Sequence, residues 1–241
     1  MSDARTVVQM TNRFHRTTRS ATLGLALLIG TFVQAAPAVK ILPIGDSITQ
    51  GGRLGEEYTY RLALRDLLQE EGVQANYIGS RTAGLDPDFQ WPVSFDPHHE
   101  GYYGQTTRDV VRQVEAHLPA LAAPDIALVH LGTNDSGWRS ATDVVAPLKS
   151  LIGELRRQNP RVAVLVALPA KPARAGGILL RWELWLMALG ASTRDSPVVT
   201  VDQSSEAQRQ ATFDGVHPSP EGQRQMAGHW LQAMLTFLPK S

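Results

Sequence analysis

Short runs of strand-forming residues alternate with helical patterns from Val39 to the end of the chain. The runs share apolar, mostly β-branched side chains, and they cover residues 39–44, 75–78, 126–131, 162–168 and 198–201. Between them, apolar residues recur three or four positions apart, which is the spacing of one helix face. Parallel strands need such crossover connections, and the helices then cover both faces of the sheet. The alternation predicts an α/β fold, a three-layer α/β/α sandwich with a five-stranded parallel sheet.

Two helices and one loop stand out in this pattern. Residues 142–158 carry one apolar face and are followed by Pro160, a helix stop. The last helix is expected to start after Ser219, whose hydroxyl can cap it, with Pro220 at the first helical position. Residues 80–105 are rich in Pro, Gly, Asp and aromatic residues, which predicts a long loop. Loops of this length in compact domains usually have a function.

The charge balance and the lack of cysteine narrow the classes of function. Among 241 residues, 23 are basic and 23 are acidic, so no strong field draws the chain to nucleic acid or to an anionic membrane. A small or neutral substrate fits this balance better. The chain has no cysteine, which excludes disulfides, thiolate metal sites and a cysteine nucleophile. The length suits one large core.

The first 35 residues have the pattern of a secretory leader. Several arginines precede the apolar stretch 21–33, and small residues follow where a signal peptidase cleaves. A membrane anchor is the alternative, but 13 apolar residues fall short of the about 18 that a span needs. We predict a signal peptide over residues 1–35 and one domain over residues 36–241, secreted or periplasmic and without a membrane anchor after cleavage. Met10 is an alternative start.

Polar residues follow the predicted strands at four places, and ligands bind at this edge of a parallel sheet. A GDS run ends at Ser47 after the first strand, and a GTND run containing Asn134 follows the third. A GYYG run ending at Gly104 closes the long loop. A DGVH run extends from Asp214 to His217, between the last strand and the last helix. Each run alone also fits an ordinary turn or helix cap.

These residue types suit nucleophilic attack on an ester. A serine hydroxyl attacks only when a base accepts its proton, and an imidazole does this best when a carboxylate holds its tautomer. Ser47, His217 and Asp214 are the candidates for these three roles. Attack creates an oxyanion, which needs donors already aimed at it. The Asn134 amide and the backbone N–H groups of Gly104 and Ser47 are the candidate donors.

The four runs together resemble the sequence blocks of the SGNH hydrolases, also called the GDSL family. The matching stretches are ILPIGDSIT, HEGYYGQTT, HLGTND and DGVHPS, and the resemblance covers essentially all of the chain after the leader. It implies a nucleophile at Ser47, oxyanion donors at Gly104 and Asn134, and the acid and base at Asp214 and His217. It implies ester hydrolysis through an acyl-enzyme without a cofactor.

The residues of two blocks give information about the substrate. PIGDSITQG and HEGYYG resemble the secreted acetyl xylan and related carbohydrate esterases more than the lysophospholipase and thioesterase branch. The predicted function is therefore a secreted serine esterase that removes short acyl groups, such as acetyl, from a small-molecule or polysaccharide ester. The short segment LLRWELWLMAL departs from the sugar esterases. A lipid esterase or lysophospholipase with the same site, or a secreted binding module without catalysis, are the alternatives.

Other residues allow two interpretations each. An apolar cluster after the fourth strand forms either an acyl mouth or ordinary core, and its helical spacing favours core: Leu180, Trp182, Leu184, Trp185 and Met187. The aromatic residues of the long loop either stack on a sugar or anchor the loop: Phe89, Trp91, Phe95, Tyr102 and Tyr103. The acidic and histidine residues at 96–100 lack the spacing of a metal site, so no metal is predicted. Arg53, Arg61 and Arg65 are expected on a solvated helix face.

Overall fold

A parallel sheet forms the middle layer of the computed structural model, which describes residues 37–135, 142–169 and 177–238. Its strands are β1 Val39–Gly45, β2 Ala75–Tyr77, β3 Glu100–Gly101, β4 Ile126–His130, β5 Ala163–Leu168 and β6 Val198–Asp202. The five longer strands are ordered β2-β1-β4-β5-β6, and the two-residue β3 pairs with β1. The predicted α/β fold and its five strands are confirmed, whereas β3 was not predicted. The predicted signal peptide lies outside the described residues.

Helices cover both faces of this sheet. They are α1 Ser47–Gln50, α2 Tyr60–Glu70, α3 Thr107–His117, α4 Thr142–Gln158, α5 Gly177–Ala191, α6 Glu206–Gln210 and α7 Pro220–Met234. One apolar core joins the sheet to α3, α4 and α5, and a second joins it to α2 and α7. Helix α7 begins as predicted, because the Ser219 hydroxyl accepts the Gly222 N–H at 3.4 Å and Pro220 follows the cap.

The strands supply both cores because successive side chains point to opposite faces. On β1, Leu42 and Ile44 lie in the core under α3, α4 and α5, and Ile41 lies in the core under α2 and α7. All three are fully buried. A strand buried on both faces explains the continuous apolar run in the sequence.

The strand order reverses between β1 and β4. The chain passes from β1 to β2 on one side and later returns to β4 on the other, so the crossovers leave β1 in opposite directions. Gly45 at the end of β1 is paired with His130 at the end of β4. Ligands of open α/β sheets bind where the order reverses in this way. Ser47 and Asn134 follow these two strands directly.

The long loop is anchored by Arg61, contrary to the expectation of a solvated side chain. Arg61 is fully buried, and its guanidinium donates to the carbonyls of Thr49 at 3.0 Å, Gln50 at 3.2 Å and Pro97 at 2.6 Å. It therefore ties the loop to the helix that carries Ser47. The helical spacing from Arg61 to the buried Leu64 explains its inward position.

The aromatic residues of the loop share this anchoring. Trp91 contacts Phe89 and Phe95 edge to face, with ring centroids 5.0 Å and 5.3 Å apart. The Arg61 guanidinium lies 5.7 Å from the Phe95 ring centroid, close enough for a cation–π contact. Tyr102 is buried in the core under α3, α4 and α5. Four of the five loop aromatics therefore fasten the loop to the domain.

Helix α5 is apolar on two sides, and the core prediction holds for only one of them. Its buried residues include Leu180, Leu184 and Met187. Trp182 and Trp185 were expected in the core as well, but their exposed fractions are 59% and 44%. The prediction was wrong for these two because both lie on the opposite side of the helix from the buried row. They share that side with further exposed leucines, at positions 179, 186 and 189.

Within the described residues, none of the helices combines the length and the apolar content that crossing a membrane requires.

Arg61→Met should lower the free energy of unfolding by about 3 kcal/mol or more, because several buried carbonyls lose their donor. Urea unfolding followed by tryptophan fluorescence measures this change. Arg108→Met is the matched control, since Arg108 is exposed and, among the residues that the structure describes, pairs with Asp143 at the surface. Its loss should cost less than about 1 kcal/mol. Equal losses for the two variants would contradict the anchoring role of Arg61.

Candidate active site

Ser47 begins α1 directly after β1, in a turn that requires glycine. A Cβ atom at Gly45 would approach the Thr49 hydroxyl to 2.2 Å and the His130 carbonyl to 2.7 Å, so only glycine fits there. The Asp46 carboxylate caps α1 by accepting the Ile48 N–H at 3.0 Å. These contacts fix the backbone around Ser47, whose side chain is almost fully buried.

The DGVH turn orients the imidazole of His217. One oxygen of Asp214 accepts the backbone N–H groups of Val216 at 3.0 Å and His217 at 2.9 Å. Its other oxygen lies 2.8 Å from Nδ1 of His217. Gly215 has φ +79°, a conformation that favours glycine. The turn therefore directs Nε2 of the imidazole away from Asp214.

The structure brings the three predicted residues into one row. Nε2 of His217 lies 3.0 Å from the Ser47 hydroxyl, although 170 positions separate them in sequence. Burial opposes ionisation of Asp214, but the hydrogen bonds from His217 and Val216 outweigh it and hold the pKa of this carboxyl well below its usual range. An ionised Asp214 keeps the proton of the neutral imidazole on Nδ1 and leaves Nε2 free to accept.

Gly104 and Asn134 are linked to this row through neighbouring residues, and the described residues show no direct hydrogen bond between them and the row. The Tyr103 N–H donates to the Gln50 side chain at 2.8 Å, which links the segment before Gly104 to α1. The Asn134 amide donates to the Gln105 carbonyl at 3.1 Å, which links the β4 edge to the segment after Gly104. Among the described residues, the Gly104 N–H has no acceptor. One amide hydrogen of Asn134 also remains beyond the Gln105 bond.

Asp135 fixes the loop that presents Asn134. Its carboxylate accepts the Thr107 N–H at 3.1 Å and the Thr107 hydroxyl at 2.9 Å. These bonds join the end of the GTND run to the first turn of α3. Asn134 is thereby held between α3 and the end of the long loop.

Sequence reasoning missed a second group of polar residues around His217. The Tyr103 ring stacks on the imidazole, with centroids 5.4 Å apart and planes 19° apart, and its hydroxyl lies 3.1 Å from Nε2. The same hydroxyl donates to Glu57 at 3.2 Å. Arg53, expected on a solvated face, pairs with Glu57 at 2.7 Å and with Asp214 at 3.6 Å. No local pattern marks Glu57, because its partners come from distant segments.

The histidine and acidic residues at 96–100 brace the long loop. His99 is buried and its Nδ1 accepts the Gly101 N–H at 2.8 Å. The buried Glu100 accepts from the Ser80 N–H and the Tyr102 hydroxyl. Within the described ranges, no three His, Asp or Glu side chains are grouped as a metal site requires.

Asp46 is a buried acid next to the serine. It is fully buried. Burial raises the pKa of Asp46 to about 6, against the smaller opposing effects of the Ile48 N–H and the Thr133 hydroxyl. An acid whose pKa is higher in the folded than in the unfolded chain destabilises the fold once the unfolded chain can ionise, because the folded chain still holds the proton. The stability cost of Asp46 therefore grows as the pH rises from about 4 to about 6 and stays constant above that.

Asp46→Asn removes this ionisation and keeps an oxygen for the cap of α1. The free energy of unfolding of the variant, relative to the wild type, should rise by about 2 kcal/mol between pH 4 and pH 8. Below the unfolded pKa both forms of Asp46 are protonated, so the advantage disappears there. Urea unfolding at a series of pH values measures the difference. A difference that stays flat with pH would show that Asp46 is not a strained buried acid.

Comparison with known proteins identifies relatives among esterases. A multidomain esterase from Ruminococcus flavefaciens is 26% identical over 245 residues. The match covers 92% of this chain and 32% of the relative, so the chain spans about a third of that protein's length.

Solved structures with similar folds include carbohydrate esterases. A carbohydrate esterase family 3 protein from Talaromyces cellulolyticus is 27% identical, with a TM-score of 0.67 over 82% of this chain and 97% of that chain. A family 3 carbohydrate esterase from Clostridium thermocellum is 26% identical, with a TM-score of 0.67 over 83% of this chain and 96% of that chain. An acetyl esterase mutant solved with an acetate ion is 27% identical, with a TM-score of 0.69 over 82% of this chain and 97% of that chain.

The sequence profile of the GDSL-like Lipase/Acylhydrolase family matches residues 44–225. This range contains three of the four blocks in full and the first block from Ile44 onward, and it extends from the end of β1 into α7. The chain belongs to the GDSL-like lipase/acylhydrolase family.

Proposed function

We propose that the domain is a serine esterase that forms an acyl-enzyme on Ser47. The observation that carries the proposal is the hydrogen-bonded row from the Ser47 hydroxyl through His217 to Asp214, with distances of 3.0 Å and 2.8 Å. The Ser47 oxygen attacks the ester carbonyl while its proton moves to Nε2 of His217. His217 then gives this proton to the departing alcohol and later activates water to release the acyl group. None of these steps calls for a cofactor.

Three N–H groups are proposed to stabilise the oxyanion of each tetrahedral intermediate. They are the backbone N–H groups of Ser47 and Gly104 and the side-chain amide of Asn134. Two contacts support this assignment, because Gln50 and the Gln105 carbonyl hold the segments that carry Gly104 and Asn134 close to α1. Donors fixed in advance need no rearrangement when the negative charge develops.

Short acyl groups on a carbohydrate are the proposed substrate. A depression of about 450 Å³ extends from Gly104 along the first turns of α3, and every side chain that lines it is polar: Gln105, Thr106, Asp109, Arg112 and Gln113. Hydroxyl-rich alcohols suit such a surface, since amides, carboxylates and guanidinium groups exchange hydrogen bonds with them. The likeness to carbohydrate esterases and to an acetyl esterase supports the same substrate class.

A lipid ester is the second candidate, and the exposed side of α5 favours it. Trp182, Trp185, Leu186 and Leu189 form an apolar surface on this helix. The opposite side of α5 contacts the loop that leads to Asn134. Leu180 lies so close to Gly132 that a Cβ atom on this glycine would be 3.3 Å from the leucine side chain. An exposed apolar surface of this kind can bind acyl chains.

The leader pattern of residues 1–35 supports export of the domain, with cleavage near Ala36. Secretion or a periplasmic location would bring the enzyme to polysaccharide esters outside the cytoplasm.

Ser47→Ala should reduce kcat/KM for a short-chain aryl ester by about a thousandfold or more, because the nucleophile is lost. The rate of nitrophenol release measures the effect. Ser150→Ala is the matched control, since Ser150 lies on α4 and, within the described part of the chain, its hydroxyl bonds to the surface residue Glu115. The control should keep wild-type kinetics. Turnover by Ser47→Ala at the wild-type rate would show that Ser47 is not the nucleophile.

A series of aryl esters from acetyl to decanoyl separates the two substrate classes. If the substrate is an acetylated carbohydrate, kcat/KM should fall by about tenfold or more beyond propionyl, because a site shaped for a short acyl group excludes longer chains. Release of acetate from acetylated xylan provides the independent measurement. A maximum at octanoyl or decanoyl, without acetate release from the polysaccharide, would favour the lipid esterase.

A further inference from the structure

The Tyr103 hydroxyl lies between the imidazole of the triad and a buried carboxylate. Its oxygen is 3.1 Å from Nε2 of His217 and 3.2 Å from one oxygen of Glu57. A phenol has a single proton, so it donates to one of these partners at a time. The direction of this proton decides what His217 can accept.

Two hydroxyl groups compete for the same nitrogen. With Nδ1 of His217 donating to Asp214, Nε2 has one lone pair in the ring plane. The hydroxyls of Ser47 and Tyr103 lie 3.0 Å and 3.1 Å from it. Only the Ser47 hydroxyl must lose its proton for attack on an ester. A Tyr103 proton directed at Nε2 would occupy the base and leave Ser47 unactivated.

Glu57 is placed to prevent this competition. Its side chain is almost fully buried, and Arg53 holds one of its carboxylate oxygens at 2.7 Å. The other oxygen faces Tyr103. Hydrogen bonds to an ionised carboxylate are stronger than those to a neutral acceptor. The Tyr103 proton therefore favours Glu57 over the imidazole.

We propose that Glu57 is a positioning residue that draws the Tyr103 proton away from His217, so that Ser47 alone donates to Nε2. This inference rests on the esterase function proposed above. Arg53 closes a cycle of side-chain contacts that includes the imidazole, because it also lies 3.6 Å from Asp214. The members of this cycle are His217, Asp214, Arg53, Glu57 and Tyr103.

The same arrangement serves the charged state of the imidazole. When the Ser47 proton has moved to Nε2, the phenol proton does not oppose the new N–H, since it is directed at Glu57. The stacked Tyr103 ring adds a favourable contact with the imidazolium. Burial, together with the nearby charge of Glu57, raises the pKa of Tyr103 to about 12, so the phenol keeps its proton. The proton on Nε2 then moves to the leaving alcohol.

Glu57→Gln tests the inference, because glutamine keeps the shape and removes the charge. Arg53 requires an acceptor, so the amide oxygen turns to Arg53 and the NH₂ group turns to Tyr103. The Tyr103 proton is then directed at Nε2. We expect kcat to fall by about tenfold or more with KM within about twofold of the wild type, because the base is blocked and substrate binding is not.

The double variant Glu57→Gln/Tyr103→Phe provides the decisive comparison. Phenylalanine keeps the stacked ring and removes the competing hydroxyl, so the double variant should regain most of the kcat that Glu57→Gln loses. Tyr103→Phe alone should lower kcat by no more than about threefold. A purely structural role for Glu57 would not be rescued by a second substitution, since losses at a destabilised site accumulate.

Controls separate failure of this inference from failure of the esterase function. Glu154→Gln removes a carboxylate from a surface ion pair with Arg157 on α4 and should keep wild-type kinetics. Thermal unfolding verifies that each variant is folded. If the wild type has no Ser47-dependent turnover, the esterase function fails. If turnover depends on Ser47 but Glu57→Gln matches the wild type, or the double variant is no faster than Glu57→Gln, the inference is overturned. Should Glu57→Gln not fold, a tenfold loss in Tyr103→Phe overturns it equally.

Discussion

The parallel pairing of β1 with β4 is the constraint on which the whole site depends. It aligns Gly45 with His130, so the segments that follow both strands leave the sheet at the same edge. Ser47 follows one strand within two residues, and Asn134 follows the other within four. A shift in this register would separate the serine from its candidate oxyanion donor, whatever the local conformation of each loop. The rest of the fold brings the remaining groups to this edge.

Two distant segments complete the edge, and each is held by polar contacts rather than by sheet pairing alone. The long loop reaches α1 through the buried guanidinium of Arg61, which binds carbonyls of both segments. The DGVH turn reaches Ser47 through His217. Burial disfavours other arrangements of these segments, because each buried polar group left without a partner costs about 1–3 kcal/mol. The tertiary arrangement therefore favours the single geometry in which the hydroxyl, the imidazole and the Asp214 carboxylate meet.

The parts of the structure that follow from local rules were predictable from the sequence. The strands carry continuous apolar runs, α7 starts at a serine cap followed by proline, and the candidate catalytic residues come directly after strands or within a glycine turn. Features created by tertiary contacts were not predictable. Arg61 shares a helix side with the buried Leu64, but only the packed structure shows the loop carbonyl of Pro97 that its guanidinium binds. Helix α5 is apolar on two sides, and only the packed structure shows that the side of Trp182 is exposed. The role proposed for Glu57 depends on its contact with Tyr103, which lies 46 positions away in the sequence.

Covalent labelling of Ser47 is the sharpest test of whether His217 activates its hydroxyl. The folded domain is treated with a fluorophosphonate, which reacts with an activated serine hydroxyl, and the product is analysed by intact-mass and peptide mass spectrometry. We expect one adduct per chain, located on the peptide that contains Ser47, and we expect this adduct to be lost in a His217→Ala variant that remains folded. Activation of Ser47 by His217 would be contradicted by the absence of an adduct in the folded wild type, by an adduct on another serine, or by labelling of Ser47 at an unchanged rate without His217.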